Sequence, residues 1–475
     1  MNGARDTATP TRHSRATATD GGSTGNAGAV SSESGNPVSF AQEIGDTPLP
    51  DDWAIKPFSE IADYQTGRTP ARANPRYWST GNVTQPWVSI SDMQPYGLVT
   101  TTAERISQDA VTEAFHGRVS KAGTLLMSFK LTIGRVATLG VDACHNEAII
   151  SIYPKPSVDQ KYLEYFLSQV DYTDYQDRAV KGNTLNQEKI DRIVITFPPK
   201  PEQEKIAAVL WKVQRAIATQ DRLIAATRDL KASAMQRLFT RGLRGEPLKD
   251  TEIGPMPESW RLERLREFGQ FKNGVNFGRD AKGSGLLTLD VKNMFAEGIY
   301  ANTENLYRVN LKSAEDFLLS PNDLLFVRSS LKQEGVGWPA LFRGAQEPVL
   351  YCGFLIRLRL GTDELDPFFL LNFLRQPHIR NLMVSQSGKV AITNISQEVL
   401  GNLLVAVPNL DEQRAIANTL ATIDRKLAHH RKKRAALNDL FQTLLHKLMT
   451  AEIRVNHPHI DTREIVQPAT QGETA

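Results

Sequence analysis

Apolar residues recur at steps of four and three along two long stretches of the chain. The first stretch runs through Ile206, Leu210, Val213, Ile217, Ile224 and Leu238. The second runs through Ile416, Leu420, Ile423, Leu427, Leu437, Phe441, Leu444 and Leu448. Spacing of this kind, sustained over several heptads, predicts two coiled-coil helices. Prolines at 198, 199, 201 and 408 mark where each begins, and Glu202, Glu204, Asp411 and Glu412 crowd the first turns. Basic residues follow later, which suits the helix macrodipole. Polar residues break the seam at Gln220, Thr227 and Lys231 in one stretch and at His430 and Arg434 in the other. Such positions set register and partner number at some cost in stability. With about 38 residues, each helix is roughly 57 Å long.

Elsewhere the pattern is of short β-like runs between turns, such as PWVSISDM (86–93), TLLMSF (124–129), EAIISIYP (147–154), LLTLDV (286–291), DLLFVRSS (323–330) and FLIRLRL (354–360). YLEYFLSQV and FFLLNFLRQ have helical spacing instead. This predicts α+β globular units.

The two halves of the chain repeat each other. LPDDW (49–53) answers MPESW (256–260), DYQTG answers QFKNG, and VDQKYLEYFLSQ (158–169) answers LDPFFLLNFLRQ (365–376). KAGTLLMSF (121–129) has a looser echo in SPNDLLFVR (320–328). TFPPKPEQEKIAAVL (196–210) matches AVPNLDEQRAIANTL (406–420), and AMQRLFT (234–240) matches LLHKLMT (444–450). The chain therefore reads as a tandem duplication. The expected order is a disordered tail (1–45), a globular unit (46–199), a long helix (200–241), a linker (242–255), a second unit (256–408), a second long helix (409–450) and a tail (451–475). Packing by pseudo-two-fold symmetry sets the helices antiparallel, with a globular unit at each end of the rod. Trp53 and Trp260 hold the same place in each copy and are expected to anchor the first strand of each unit in its core.

Composition narrows the function. No apolar run approaches the ~18 residues that span a bilayer. Residues 1–45 lack an apolar signal core, so a cytoplasmic protein without a membrane is expected. Cys144 and Cys352 are too few for a disulfide framework or a four-cysteine zinc site. The net charge of +3 is small, and the basic surplus lies in the helices: residues 411–450 hold 8 Lys and Arg against 4 Asp and Glu. Any nucleic-acid face must therefore be a local patch. No phosphate-cradling loop, HExxH helix, CxxC pair or GxSxG elbow occurs, which argues against a catalytic chain.

Local basic and aromatic loops carry the candidate chemistry. QTGRTPARANPRYWSTGN (65–82) holds Arg68, Thr69, Arg72, Arg76, Tyr77 and Trp78 with almost no acidic charge. Its counterpart FKNGVNFGRDAKGSG (271–285) holds Lys272, Asn273, Asn276, Arg279 and Lys282. MSFKLTIGRVA (127–137) sets Lys130 and Arg135 around a glycine turn, and Arg328 and Lys332 occupy the corresponding region of the second copy. KGNTLN (181–186) and SGKVAITNIS (387–396) add Lys181 and Lys389 just before each helix connector. Arg and Asn read guanine and adenine edges bidentately, while Lys and Arg hold phosphates. Ordinary solvated loops are the alternative for each.

Taken together, these residues resemble the specificity subunit of type I restriction-modification systems over roughly residues 49–455. The resemblance rests on LPDDW and MPESW, on TGRTP followed by RYW and PWVSISDM, on TIGRVA, and on the PPKPEQEKIA and PNLDEQRAIA helix openings. MQRLFT and LLHKLMTAEIRV complete it. An Arg stands in TGRTP where the family often has Gly, and the second unit lacks the TP and PW elements. The resemblance implies two target recognition domains on a helical ruler, binding a bipartite, asymmetric site in double-stranded DNA around a non-specific spacer. It implies no catalysis and no cofactor in this chain. Two modification (methyltransferase) subunits would carry S-adenosylmethionine, and restriction subunits would use ATP and magnesium. The rival classes are a fused methyltransferase or nuclease with cryptic motifs, and a coiled-coil protein-interaction scaffold.

Overall fold

The computed structural model describes residues 49–78, 84–175, 177–179, 182–296, 298–311, 313–330, 332–385, 393–455, 460 and 462. The tail expected at 1–45, most of that after Val455, and the candidates Lys181 and Lys389 lie outside them.

Lys200–Arg241 and Leu410–Met449 form the two long helices, of 42 and 40 residues. They pack antiparallel along one another. Ile206 and Leu210, near the start of the first, share a core with Phe441, Leu445 and Leu448 near the end of the second. Leu238 and Phe239 meet Ile416 and Leu420 at the other end. The polar seam residues pair across the rod: His430 Nδ1 lies 2.9 Å from Gln220 Oε1, and Lys231 Nζ lies 2.7 Å from Asp424. Arg434 donates to Asp221. Gln220 and Asp221 meet His430 and Arg434 near mid-rod, while the later Lys231 meets the earlier Asp424, so the pairs fix the antiparallel register.

Each globular unit sits against the start of one long helix and the end of the other. Both are α+β and follow one plan. In the first, a five-stranded sheet has the order Ala62–Thr66, Ile149–Pro154, Leu125–Ser128, Val136–Leu139, Leu98–Val99. A three-stranded sheet has the order Glu104–Ser107, Thr84–Val88, Cys144–His145. In the second, the sheets are Gly269–Asn273, Leu355–Leu360, Leu324–Val327, Pro339–Leu341 and Tyr307–Val309, Lys282–Leu289, Val349–Tyr351. The central strands, LLMS and LLFV, do not alternate apolar and polar residues because both their faces are covered; Leu125–Ser128 and Leu324–Val327 are buried at every position.

Trp53 and Trp260 precede the strands Ala54–Pro57 and Arg261–Arg264, which pair with the last strands, Val194–Phe197 and Leu404–Val407. Both indoles are buried in the cores that include the long helices. They therefore anchor the point where each unit closes onto the rod. The helices Gln160–Leu167 and Pro367–Leu374 lie where their apolar spacing puts them, each capped by an aspartate, Asp159 and Asp366.

The EQ dipeptide that opens each long helix has a defined task. Gln203 is fully buried; its amide donates to Ser157 O and Pro198 O and accepts from Asp159 N. Gln413 does the same with Glu364 O, Pro408 O and Asp366 N. Glu202 accepts from Arg454 at 2.6 Å, just past the end of the second helix, and Arg454 also reaches Asp52 at 2.7 Å. At the opposite end Glu412 accepts from Leu243 N, just past the end of the first helix. Each glutamate thus ties the end of one helix to the start of the other. No helix among the described residues is long and apolar enough to cross a membrane.

Candidate nucleic-acid interface

In the first unit four chain segments line up along one end of the sheet. Gly67 N donates to Ile149 O, Phe129 N to Ala148 O, and Leu185 N to Phe129 O. These bonds place the 67–69 loop, the 145–148 turn, the 129–130 edge and the 184–185 edge side by side. The second unit repeats the pattern through Gly274 N to Leu355 O, Arg328 N to Phe354 O, and Ile395 N to Arg328 O. Gly67 and Gly274 permit it: a Cβ at either would run into the crossing backbone at His145 or Cys352.

This edge gathers Arg68, Thr69 and Lys130 in the first unit, with Arg135 at the base of the adjoining hairpin. Arg68 is exposed, and its guanidinium lies 3.2 Å from Ala114 O and from His116 Nε2. The Thr69 hydroxyl donates to Glu147. The Lys130 ammonium sits over the Phe129 ring, 5.0 Å from its centroid, and its backbone bridges to Thr184. Arg135 is half-buried and donates to Ile90 O at 3.0 Å.

The rest of the first basic loop is held by acids from elsewhere in the chain. Arg72 lies flat on Trp78, 3.8 Å from the ring centroid, and donates to Glu104 at 2.9 Å. Arg76 donates to Asp109 at 2.9 Å, and the Tyr77 hydroxyl donates to Glu113 at 2.6 Å. Trp78 donates to Ala71 O and packs edge-on against Trp87. The basic segment is therefore neutralised by the strand and helix at 104–113, and Arg72, Tyr77 and Trp78 are structural parts of the loop as well as DNA candidates. The sequence conceals this because the acids stand tens of residues away.

In the second unit Arg328 and Asn276 lie on the corresponding edge. Asn276 covers Gly353, and the Arg328 guanidinium is 3.5 Å from Gly353 O. Asn273 lies beside the Gln397 amide. Lys272 pairs with Asp316 at 3.0 Å, and Lys282 stacks on Tyr307 at 4.8 Å. Arg279 is exposed and makes no hydrogen bond or ion pair to the described residues. Lys332 lies on the rim of an open cleft of about 860 Å³ walled by Phe295, Trp338 and Phe354. Sequence reasoning missed this aromatic cleft because its walls come from three segments far apart in the chain. The backbone ladders set Trp338 opposite Val327 and Arg135 opposite Ser128, so a tryptophan here replaces the arginine of the first unit.

Two buried groups behind the first edge are not surface chemistry. Burial lowers His145 to about 4, so the ring is neutral, and raises the Cys144 thiol to about 12. The second unit's Cys352 is likewise free, buried and pushed up to about 12. Among the described residues, no group of His, Cys, Asp and Glu is arranged to hold a metal ion.

Comparison with known proteins adds a family. The sequence model for the type I restriction modification DNA specificity domain matches residues 50–226 and 257–439, one match per copy of the repeat. The specificity subunit of the MjaIX type I restriction enzyme of Methanocaldococcus jannaschii is 23% identical over 428 residues, covering 86% of this chain and 95% of the relative. That of EcoKI from Escherichia coli K12 is 23% identical over 452 residues, covering 88% and 93%. A crystal structure of the S subunit from M. genitalium superposes with a TM-score of 0.52 at 15% identity, over 85% of this chain and 98% of that one. A second structure, from work on complex assembly and conformational transition of the type I R-M system, gives 0.53 at 18% identity, over 86% and 100%.

Proposed function

This chain belongs to the type I restriction modification DNA specificity family, and from that membership we propose that it reads a bipartite, asymmetric site in double-stranded DNA without catalysing a reaction itself. The carrying observation is the repeated edge: two units of one plan gather Arg68, Thr69 and Lys130 at one end of the rod, and Asn276 and Arg328 at the other. Two edges on a duplicated scaffold, with different side chains on each, suit two different half-sites. A rod of roughly 60 Å exceeds one duplex turn of roughly 34–36 Å, so the half-sites lie more than one turn apart.

In this reading the partners are two modification subunits and, for cleavage, restriction subunits. S-adenosylmethionine, ATP and magnesium belong to those partners. The sequence supports this division of labour because no catalytic or nucleotide-binding signature occurs in it. Asparagine and arginine supply base-edge contacts and Lys130 a phosphate contact. Arg72, Arg76, Tyr77, Trp78, Lys272 and Lys282 act mainly by shaping the loops that present these groups.

The test is methylation mapping of DNA from cells that carry the chain with its modification subunits. Arg68→Ala is expected to relax only the first half-site, at a cost of about 1–3 kcal/mol in discrimination, and Arg328→Ala only the second. Equal loss at both half-sites from either substitution contradicts the assignment of one edge to each half.

A further inference from the structure

Leu131 stands at the tip of the hairpin that joins Leu125–Ser128 to Val136–Leu139. Its side chain is 69% exposed. Its backbone has φ of 64°, in the left-handed region that a leucine enters only against steric resistance. It therefore contributes neither core packing nor turn stability to the folded chain. Strain held at an exposed tip is a feature of ligand clamps, and what it clamps follows from its surroundings.

The tip is held stiffly. Ser128 Oγ donates to Thr132 O and accepts from Arg135 N, and Gly134 N donates to Ser128 O at 2.9 Å. Gly134 packs so closely on the buried Tyr172 ring that a Cβ there would collide with it. Residues 128–137 contain no acid, and Leu131 follows Lys130 directly, while Arg135 holds the hairpin base through Ile90 O. A rigid apolar point beside a lysine meets both the charge and the stacked interior of a duplex. Small apolar side chains in such settings part a base step and kink DNA.

We propose that Leu131 is a wedge that enters the base stack of duplex DNA at the first half-site, with Lys130 holding the flanking phosphate. The proposal rests on the DNA-recognition reading given above. It concerns the first unit alone. The matching ladder of the second unit sets Ser329 opposite Asn394 where Lys130 faces Thr184, so a serine, Ser330, takes the place of Leu131. Sequence preference at the parted step then comes from the ease of unstacking as well as from base edges.

The experiment uses the full chain with its modification subunits and duplexes carrying the mapped site. 2-Aminopurine replaces each adenine in turn, and pyrrolo-cytosine each cytosine. The wild type is expected to give a several-fold brightening at one step of the first half-site. That signal disappears in Leu131→Ala and Leu131→Gly, which bind the duplex about tenfold more weakly. Leu131→Phe retains it. Leu131→Gly also relieves the backbone, so its thermal midpoint stays at or above that of the wild type, which separates loss of the wedge from loss of the fold. A signal independent of Leu131 belongs to the modification subunit. Wild-type binding with no Leu131-dependent brightening at any step overturns the wedge and leaves the recognition reading standing. A wild type that does not prefer the mapped duplex to a scrambled one overturns both.

Discussion

Arg72 lies against Trp78 and Trp87 while its guanidinium meets Glu104, so its removal takes away packing as well as charge. Arg72→Ala is expected to destabilise the first unit by about 1–2 kcal/mol in denaturant unfolding, and Arg72→Lys to recover little of it, because an ammonium neither stacks nor forks. Arg68→Ala, at an exposed site, is expected to leave unfolding unchanged. His145 gives the first unit a pH dependence. Its neutral ring titrates near 4 in the fold and near 6.5 in the unfolded chain, so between those values only the unfolded chain binds the proton. Stability from this group is complete above about pH 6.5 and falls as the pH drops towards 4. At pH 5 the loss is about 2 kcal/mol relative to pH 7. His145→Gln is expected to remove that part of the slope, seen in denaturant midpoints at the two pH values; an unchanged slope contradicts the burial argument.

The long helices and the duplication were legible in the chain because their signals are local: a 4-3 apolar step and matching strings. The tryptophans could be placed for the same reason. The roles of side chains at the recognition edge were not, since Glu104, Asp109 and Glu113 reach the basic loop from 32, 33 and 36 residues away. The EQ dipeptide was visible as a motif but not as a lock. Gln203→Leu leaves Asp159 N, Ser157 O and Pro198 O without this partner and is expected to cost about 2–4 kcal/mol. Gln413→Leu is expected to cost the same at the other end, through Asp366 N, Glu364 O and Pro408 O. Separate denaturant transitions for the two ends, each shifted by its own substitution, check this. An unaltered transition contradicts the lock.

At the scale of the whole molecule the chain closes on itself. Arg454 joins Glu202 and Asp52, returning the end of the second helix to the first unit, and Glu412 holds the end of the first helix. Arg454 in turn holds the Asp52 carboxyl below the usual carboxylate range. Both ends of the rod are thus fixed to the units they carry, so rod length becomes distance between recognition edges. Thr227 and Leu427 are buried in the middle stretch of the seam and mark where length can be added. A heptad inserted after each preserves the seam and adds roughly 10 Å, or about three base pairs. Methylation mapping of cells carrying the lengthened chain with its modification subunits is the most direct measurement. The account predicts both half-sites unchanged with a spacer longer by about three base pairs; an unchanged spacer, or a continuous site, contradicts it.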